Sequence, residues 1–174
     1  KSLIGSITVE NQSLKFQLEN GKLLDSSELE KISHQISYMG QETSLFQLSL
    51  KENISLQNSI TDGQFQELCK QVGLEKWADQ STEFDSILST ASGGEKRRID
   101  LARLLFFDRE ILLFDEPTAG LDSQNRLKVE EVVKQLENKL IVYSTHQYDE
   151  EFMQQFDYCL EIKDGSIVMR EINA

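Results

Sequence analysis

Residues 111–122 read ILLFDEPTAGLD, and no other stretch limits the possible folds as much. Four apolar residues, Ile111–Phe114, run without a polar break into two adjacent carboxylates, Asp115 and Glu116. A strand with no polar face has to be covered on both sides. A helical pattern follows over Ser123–Leu136, and a second apolar run, Leu140–Tyr143, ends in Ser144, Thr145 and His146. Two apolar strands joined by a helix form a parallel βαβ unit, which makes this an α/β chain with both strands buried on both faces. Ligands of such sheets bind beyond the carboxyl ends of the strands. Both ends here carry side chains suited to phosphate and metal chemistry.

A second stretch, ASGGEKRR over residues 91–98, opens the helix that leads into this unit. Ile99, Leu101, Ala102, Leu104 and Leu105 form its apolar stripe. Ser92 and Glu95 have the spacing of a capping box. Gly93 and Gly94 are not explained by that box, since each glycine costs about 1 kcal/mol relative to alanine within a helix. Residues without side chains at a helix start let an anion come close to bare N–H groups, and a phosphate is the natural candidate.

The remaining chain is read around these two stretches. Ile7–Val9 and Leu14–Leu18 alternate apolar and polar residues, and Asn20-Gly21 follows as a turn, giving antiparallel strands. A short helix is expected over Ser26–Lys31, and a short strand over Gln35–Met39 that ends in Gly40-Gln41. From Glu42 to Thr90 the pattern is helical and interrupted, with Phe65, Leu68, Cys69 and Val72 at helical spacing. The tail YCLEIKDGSIVMR is a hairpin turning at Asp164-Gly165. The length of 174 residues suits one domain. A net charge of −12 argues against non-specific binding to nucleic acid or an anionic membrane surface. Cys69 and Cys159 lie far apart and form no metal-ligand spacing, as expected of free thiols in a reducing compartment. No apolar run approaches the ~18–20 residues that cross a bilayer, and no signal peptide is visible, so a soluble cytoplasmic piece is expected.

An apolar strand that ends in Asp-Glu is among the better sequence signals for a nucleoside triphosphatase. Asp115 would hold Mg²⁺, through water, because this ion keeps most of its hydration shell. Glu116 would polarise the attacking water. His146 would contact the γ-phosphate, and Gln41, at the end of its own strand, would reach the metal or the water. Each of these residues alone has an ordinary structural reading. The inference rests on their joint occurrence with the Ser-Gly-Gly-Glu helix start.

In that combination the chain resembles the nucleotide-binding domain of the ATP-binding cassette (ABC) ATPases. YMGQ ending at Gln41 is similar to the Q-loop, and ASGGE to the signature LSGGQ, with Ala91 and Glu95 replacing leucine and glutamine. ILLFDE resembles the Walker B strand, AGLD the D-loop ending at Asp122, and STH the switch histidine of the H-loop. The order matches from Asp25 to the C-terminus. The resemblance implies a P-loop NTPase-like fold with a mostly parallel core sheet, an antiparallel β subdomain and a helical subdomain. It implies one domain over residues 1–174: N-terminal antiparallel strands over 1–24, a helical subdomain over 42–91, and signature helix, Walker B, D-loop, H-loop and hairpin over 92–174.

Members of that family pair head to tail, with each ATP between the nucleotide loop of one domain and the signature helix of the other. Ser92, Gly93, Gly94 and Glu95 would then face a partner's ATP, and Phe16 would stack on adenine. SLFQLSLKENI, just after Gln41, resembles the stretch by which exporter-type cassettes meet a membrane domain. The implied partners are thus a transmembrane domain and a second nucleotide-binding domain, at the cytoplasmic face of the cell membrane. The segment between Gln41 and Ser92 has no room for the long coiled coil of DNA-repair relatives.

Phosphoryl transfer by this fold also needs a glycine-rich loop, G-x-x-x-x-G-K-[ST], and no such string occurs in the sequence. One reading places a junction between Leu24 and Asp25, where the family carries that loop and the strand before it, and expects a spatial break there. The other takes Lys1-Ser2 as a remnant of the loop. The main reading is an ATPase domain of an exporter. The alternative is a degenerate cassette that dimerises and completes a partner's ATP site without hydrolysis.

Overall fold

The computed structural model describes residues 5–10, 13–18, 23–24, 33–78, 90–147, 149–163 and 166–172, the first three segments and residue 163 by backbone alone. The chain divides into two units, Lys1–Ser144 and Thr145–Ala174.

In the first unit, the alternating N-terminal segments form β1 (Gly5–Glu10) and β2 (Ser13–Leu18), and β3 (Leu23–Leu24) joins them. Their order is β1-β2-β3, antiparallel, with Ile7 opposite Phe16 and Phe16 opposite Leu24. The expected turn at Asn20-Gly21, the helix over Ser26–Lys31 and the junction at Asp25 lie outside the described residues. A 3₁₀ turn, Ser33–Gln35, leads into β4 (Ile36–Met39).

The interrupted helical pattern resolves into α1 (Leu50–Ser55), α2 (Asp62–Gln71) and α3 (Glu75–Ala78). Capping boxes start the first two: Ser49 with Glu52, and Thr61 with Gln64. Leu50, Ile54, Phe65, Cys69, Val72, Leu74 and Trp77 are buried in this part of the core. Cys69 is free, and burial pushes its thiol up to about 12. The long helix α4 (Gly93–Phe107) follows, then β5 (Ile111–Asp115), α5 (Ser123–Lys134) and β6 (Leu140–Ser144). No described helix is long and apolar enough to cross a membrane.

The βαβ unit forms as the apolar runs require: β4, β5 and β6 make a parallel sheet in that order. Its burial differs from expectation. The register puts Met39 beside Phe114 and Leu112 beside Ile141 on one face. There Met39, Leu112 and Phe114 are only 2%, 1% and 2% exposed. Tyr38, Leu113 and Val142 share a row of the opposite face. On that face Tyr38 is 63% exposed, Leu140 38% and Val142 46%. Continuous hydrophobicity fits cover on both faces; among the described residues the second face is covered only in part, at Ile111, which is 8% exposed.

The second unit holds α6 (Glu150–Met153), capped by Asp149, and the hairpin of β7 (Tyr158–Lys163) and β8 (Ser166–Glu171). Lys163 pairs with Ser166, so the two strands flank Asp164-Gly165 as expected, though these turn residues are not among those described. Phe152 is buried and meets Phe156 edge-on, with ring centroids 5.4 Å apart.

Candidate active site at the carboxyl end of the parallel sheet

The parallel register sets Asp115 opposite Ser144, where both strands end. Ser144 Oγ donates to Asp115 Oδ1 at 2.9 Å, and Tyr38 Oη donates to Asp115 Oδ2 at 3.0 Å. Each oxygen of this carboxylate therefore has a hydroxyl donor from a neighbouring strand. The Tyr38 phenol is raised above its ordinary value, first by this hydrogen bond, then by partial desolvation and by the negative charge of Asp115.

Glu116 has a left-handed backbone, φ 47°, which costs a residue other than glycine on the order of 1–3 kcal/mol and persists only where its surroundings enforce it. They do so here. Its N–H donates to Ser144 O at 3.1 Å, and its carbonyl accepts from Ala119 N at 3.0 Å and from Arg97 Nη2 at 2.8 Å. Arg97 Nη1 donates to the carbonyl of Gly40, the residue before Gln41. A Cβ on Gly40 would lie 2.9 Å from the ring of Tyr38, so a side chain there would have to displace that exposed ring. Gln41 itself is exposed.

The start of α4 has the capping box read from the sequence. Glu95 N donates to Ser92 Oγ at 3.2 Å, and Ser92 N donates to Glu95 Oε2 at 2.7 Å. The two glycines then separate. Gly93 is exposed, and an added Cβ would meet nothing within 4 Å. At Gly94 it would lie 2.8 Å from Asn125 Cγ, so this glycine has a packing reason inside the chain. Asn125 is itself fixed: its N and Nδ2 donate to Asp122 at 2.9 and 2.6 Å, and its Oδ1 accepts from Arg98. The bonds from Asn125 hold the Asp122 carboxyl below its ordinary value.

Glu95 also has partners outside the capping box. Its Oε1 accepts from Trp77 Nε1 at 3.3 Å and is ion-paired with Lys76. Burial alone would raise this carboxyl, but the hydrogen bonds from Lys76, Ser92 and Trp77 outweigh it and hold it at about 2.

Asp115, Glu116 and the Gly40-Gln41 corner thus converge at one sheet end, while Ser92–Glu95 and Asp122 are joined through Asn125 and Arg98. His146 lies in the second unit, where it is exposed. Phe16 is described by its backbone alone. Sequence reading missed Tyr38, Arg97, Arg98, Asn125, Lys76 and Trp77. Arg97 and Arg98 lie in a helix that also carries Glu95, Lys96, Asp100 and Arg103, so nothing in the sequence marked them as buried charges that need specific partners.

Among the described residues no group of three or more His, Cys, Asp or Glu side chains could enclose a metal ion. A single carboxylate beside a serine hydroxyl still fits Mg²⁺, which takes one or two carboxylates and fills its shell with water and substrate phosphates.

A sequence profile described as "ABC transporter" matches residues 1–119. The chain is 33% identical over 147 residues to the glutathione/L-cysteine transport system ATP-binding/permease protein CydC of Haemophilus influenzae. That alignment covers 80% of this chain and 25% of the relative, so the chain spans about a quarter of the length of that protein. In structure it resembles the ATP-binding cassette MJ0796, solved as a dimer in a post-hydrolysis state with ADP and Pi. That likeness has a TM-score of 0.70 at 25% identity, over 93% of this chain and 75% of the other. It has the same fold as a bacterial Atm1-family ABC exporter with ATP bound, with a TM-score of 0.73 at 19% identity, over 92% of this chain and 29% of the exporter. Matched over more than half its length by that family and folded like two of its solved members, the chain belongs to the ABC transporters, as an ATP-binding domain.

Proposed function

We propose that the chain is the ATP-hydrolysing domain of an exporter-type ABC transporter, turning ATP and water into ADP and phosphate to drive a membrane partner. The observation that carries this reading is Glu116, held in a left-handed turn directly after Asp115 at the carboxyl end of a parallel strand. Glu116 polarises the attacking water, and Gln41 and His146 position that water and the γ-phosphate. Asp115, with Ser144 beside it, holds Mg²⁺, which when bound supplies positive charge against the phosphates. Phe16 stacks on adenine.

Ser92, Gly93, Gly94, Glu95 and Asp122 act on the nucleotide of a second domain paired head to tail. The exposed Gly93 at a helix N-terminus supports that role, because a helix N-terminus attracts anions. Residues 1–174 are read as one nucleotide-binding domain with the three parts expected from the sequence, at the cytoplasmic face of a membrane. The fused ATP-binding/permease name of the Haemophilus relative supports a transmembrane partner.

A second reading is a cassette that completes a partner's site without hydrolysing its own ATP. It is favoured by the lack of a G-x-x-x-x-G-K-[ST] string between Lys1 and Ala174. Glu116→Gln in the full-length polypeptide separates the two. Hydrolysis by this chain requires a drop in turnover of about 10²–10⁴-fold, with ATP binding kept and an ATP-bound dimer trapped. Unchanged turnover overturns the first reading.

A further inference from the structure

Arg97 is 3% exposed, and both of its terminal nitrogens donate to main-chain carbonyls: Nη1 to Gly40 and Nη2 to Glu116, the latter at 2.8 Å. The β4–β5 ladder ends at the pair Met39 and Phe114. Gly40 and Glu116 lie just past that end, where β4–β5 pairing no longer fixes their separation. A guanidinium is a planar fork with donors at set spacing, so it can hold two carbonyls at a defined distance. A buried cation is costly unless it is well partnered; Arg97 has these two carbonyls, and the negative charges of Asp100 and Asp115 also favour its charged form. It also sits on α4 four residues after Gly93, about one helical turn from the exposed helix start.

We propose that Arg97 is a positioning residue. Its fork takes over where the β4–β5 ladder stops, fixes Gln41 and the Glu116 turn relative to one another, and ties both to the first turn of α4. The inference rests on the hydrolytic reading above, in that Gln41 and Glu116 are taken as the groups that handle the attacking water. Arg97 acts through the two backbone corners.

The test uses Arg97→Lys and Arg97→Ala in the full-length polypeptide. Lysine keeps the charge and most of the stem but reaches only one carbonyl at a time. Arg97→Lys is expected to lower kcat about 10–100-fold, the scale of a misplacement near 1 Å, with KM for ATP within about twofold. Amide hydrogen exchange should rise at residues 41–44 and 116–119 and stay unchanged along residues 99–105 of α4. Arg97→Ala should do more of the same. If it fails to fold, Arg97→Lys decides alone. Unchanged exchange at both corners overturns the proposal, as does a rise spread over all of α4 or loss of folding in Arg97→Lys, since either makes the role purely structural. Glu116→Gln measured alongside keeps the two readings apart. If it leaves turnover intact, the hydrolytic reading fails and the exchange data still decide the clamp. If it abolishes turnover while Arg97→Lys leaves kcat unchanged, the clamp proposal fails.

Discussion

Trp77 donates its indole N–H to Glu95 Oε1 at 3.3 Å, joining the short helix α3 to the first turn of α4 across 18 residues of sequence. Lys76 pairs with the same carboxylate and stands 4.8 Å from the Trp77 ring centroid. The Lys76 ammonium, the backbone N–H and side chain of Ser92 and the Trp77 indole thus all favour the charged form of Glu95.

The consequence for pH follows from the direction of the shift. Glu95 lies at about 2 in the folded chain against an ordinary 4.5, so its contribution to stability is fully present above 4.5. It is lost as the pH falls from 4.5 towards about 2. Denaturation midpoints at a series of pH values should show the wild type losing about 1–2 kcal/mol relative to Glu95→Gln over that window. A parallel decline in both proteins would mean that the carboxylate has no net role.

The two glycines of α4 should respond in opposite ways. Gly94→Ala places a methyl 2.8 Å from Asn125 Cγ, and Asn125 is held by Asp122 and Arg98, so the network has to give. A loss of about 1–3 kcal/mol is expected in urea denaturation, the usual cost of overpacking. Gly93→Ala has open space around it and should be neutral or stabilising by up to about 1 kcal/mol.

Gly93→Asp is the functional counterpart. It puts a negative charge where a partner's phosphate is proposed to sit, so it should leave the unfolding midpoint near wild type and abolish ATP-driven dimerisation on size-exclusion chromatography. A variant that still dimerises with ATP would remove the phosphate from the explanation of Gly93.

Tyr38→Phe removes one of the two hydroxyl donors on Asp115. That donor competes with a cation for Oδ2. The Mg²⁺ concentration at half-maximal ATP turnover should therefore fall several-fold, with a stability change below about 1 kcal/mol at this exposed site. A rise in the Mg²⁺ requirement would show that Tyr38 orients the carboxylate and does not compete for it.

The two faces of the parallel sheet should differ sharply. Leu112 is 1% exposed, and Leu112→Ala should cost about 2–5 kcal/mol. Val142 is 46% exposed, and Val142→Lys in the 174-residue chain should stay within about 0.5 kcal/mol of wild type. Equal losses at the two positions would show that the second face is covered in solution.

The strands, the helix starts and the order of elements were legible along the chain. Alternation in Ile7–Val9 and Leu14–Leu18, the unbroken run Ile111–Phe114, the Ser92–Glu95 box and the hairpin around Asp164-Gly165 are local patterns. They act over a few residues and need no knowledge of distant partners. The carboxylates Asp115 and Glu116 were legible for the same reason, as an abrupt end to an apolar run. Tertiary structure decided which face of the sheet is buried, because hydrophobicity alone does not say where the helices pack. It also decided that Gly94 answers to Asn125, that Tyr38 reaches Asp115 across 77 residues, and that Arg97 spans 57 residues to Gly40 and 19 to Glu116. These contacts form only where the parallel register and the seating of α4 bring separate segments to the same sheet end. No periodicity within one segment records the spacing to another.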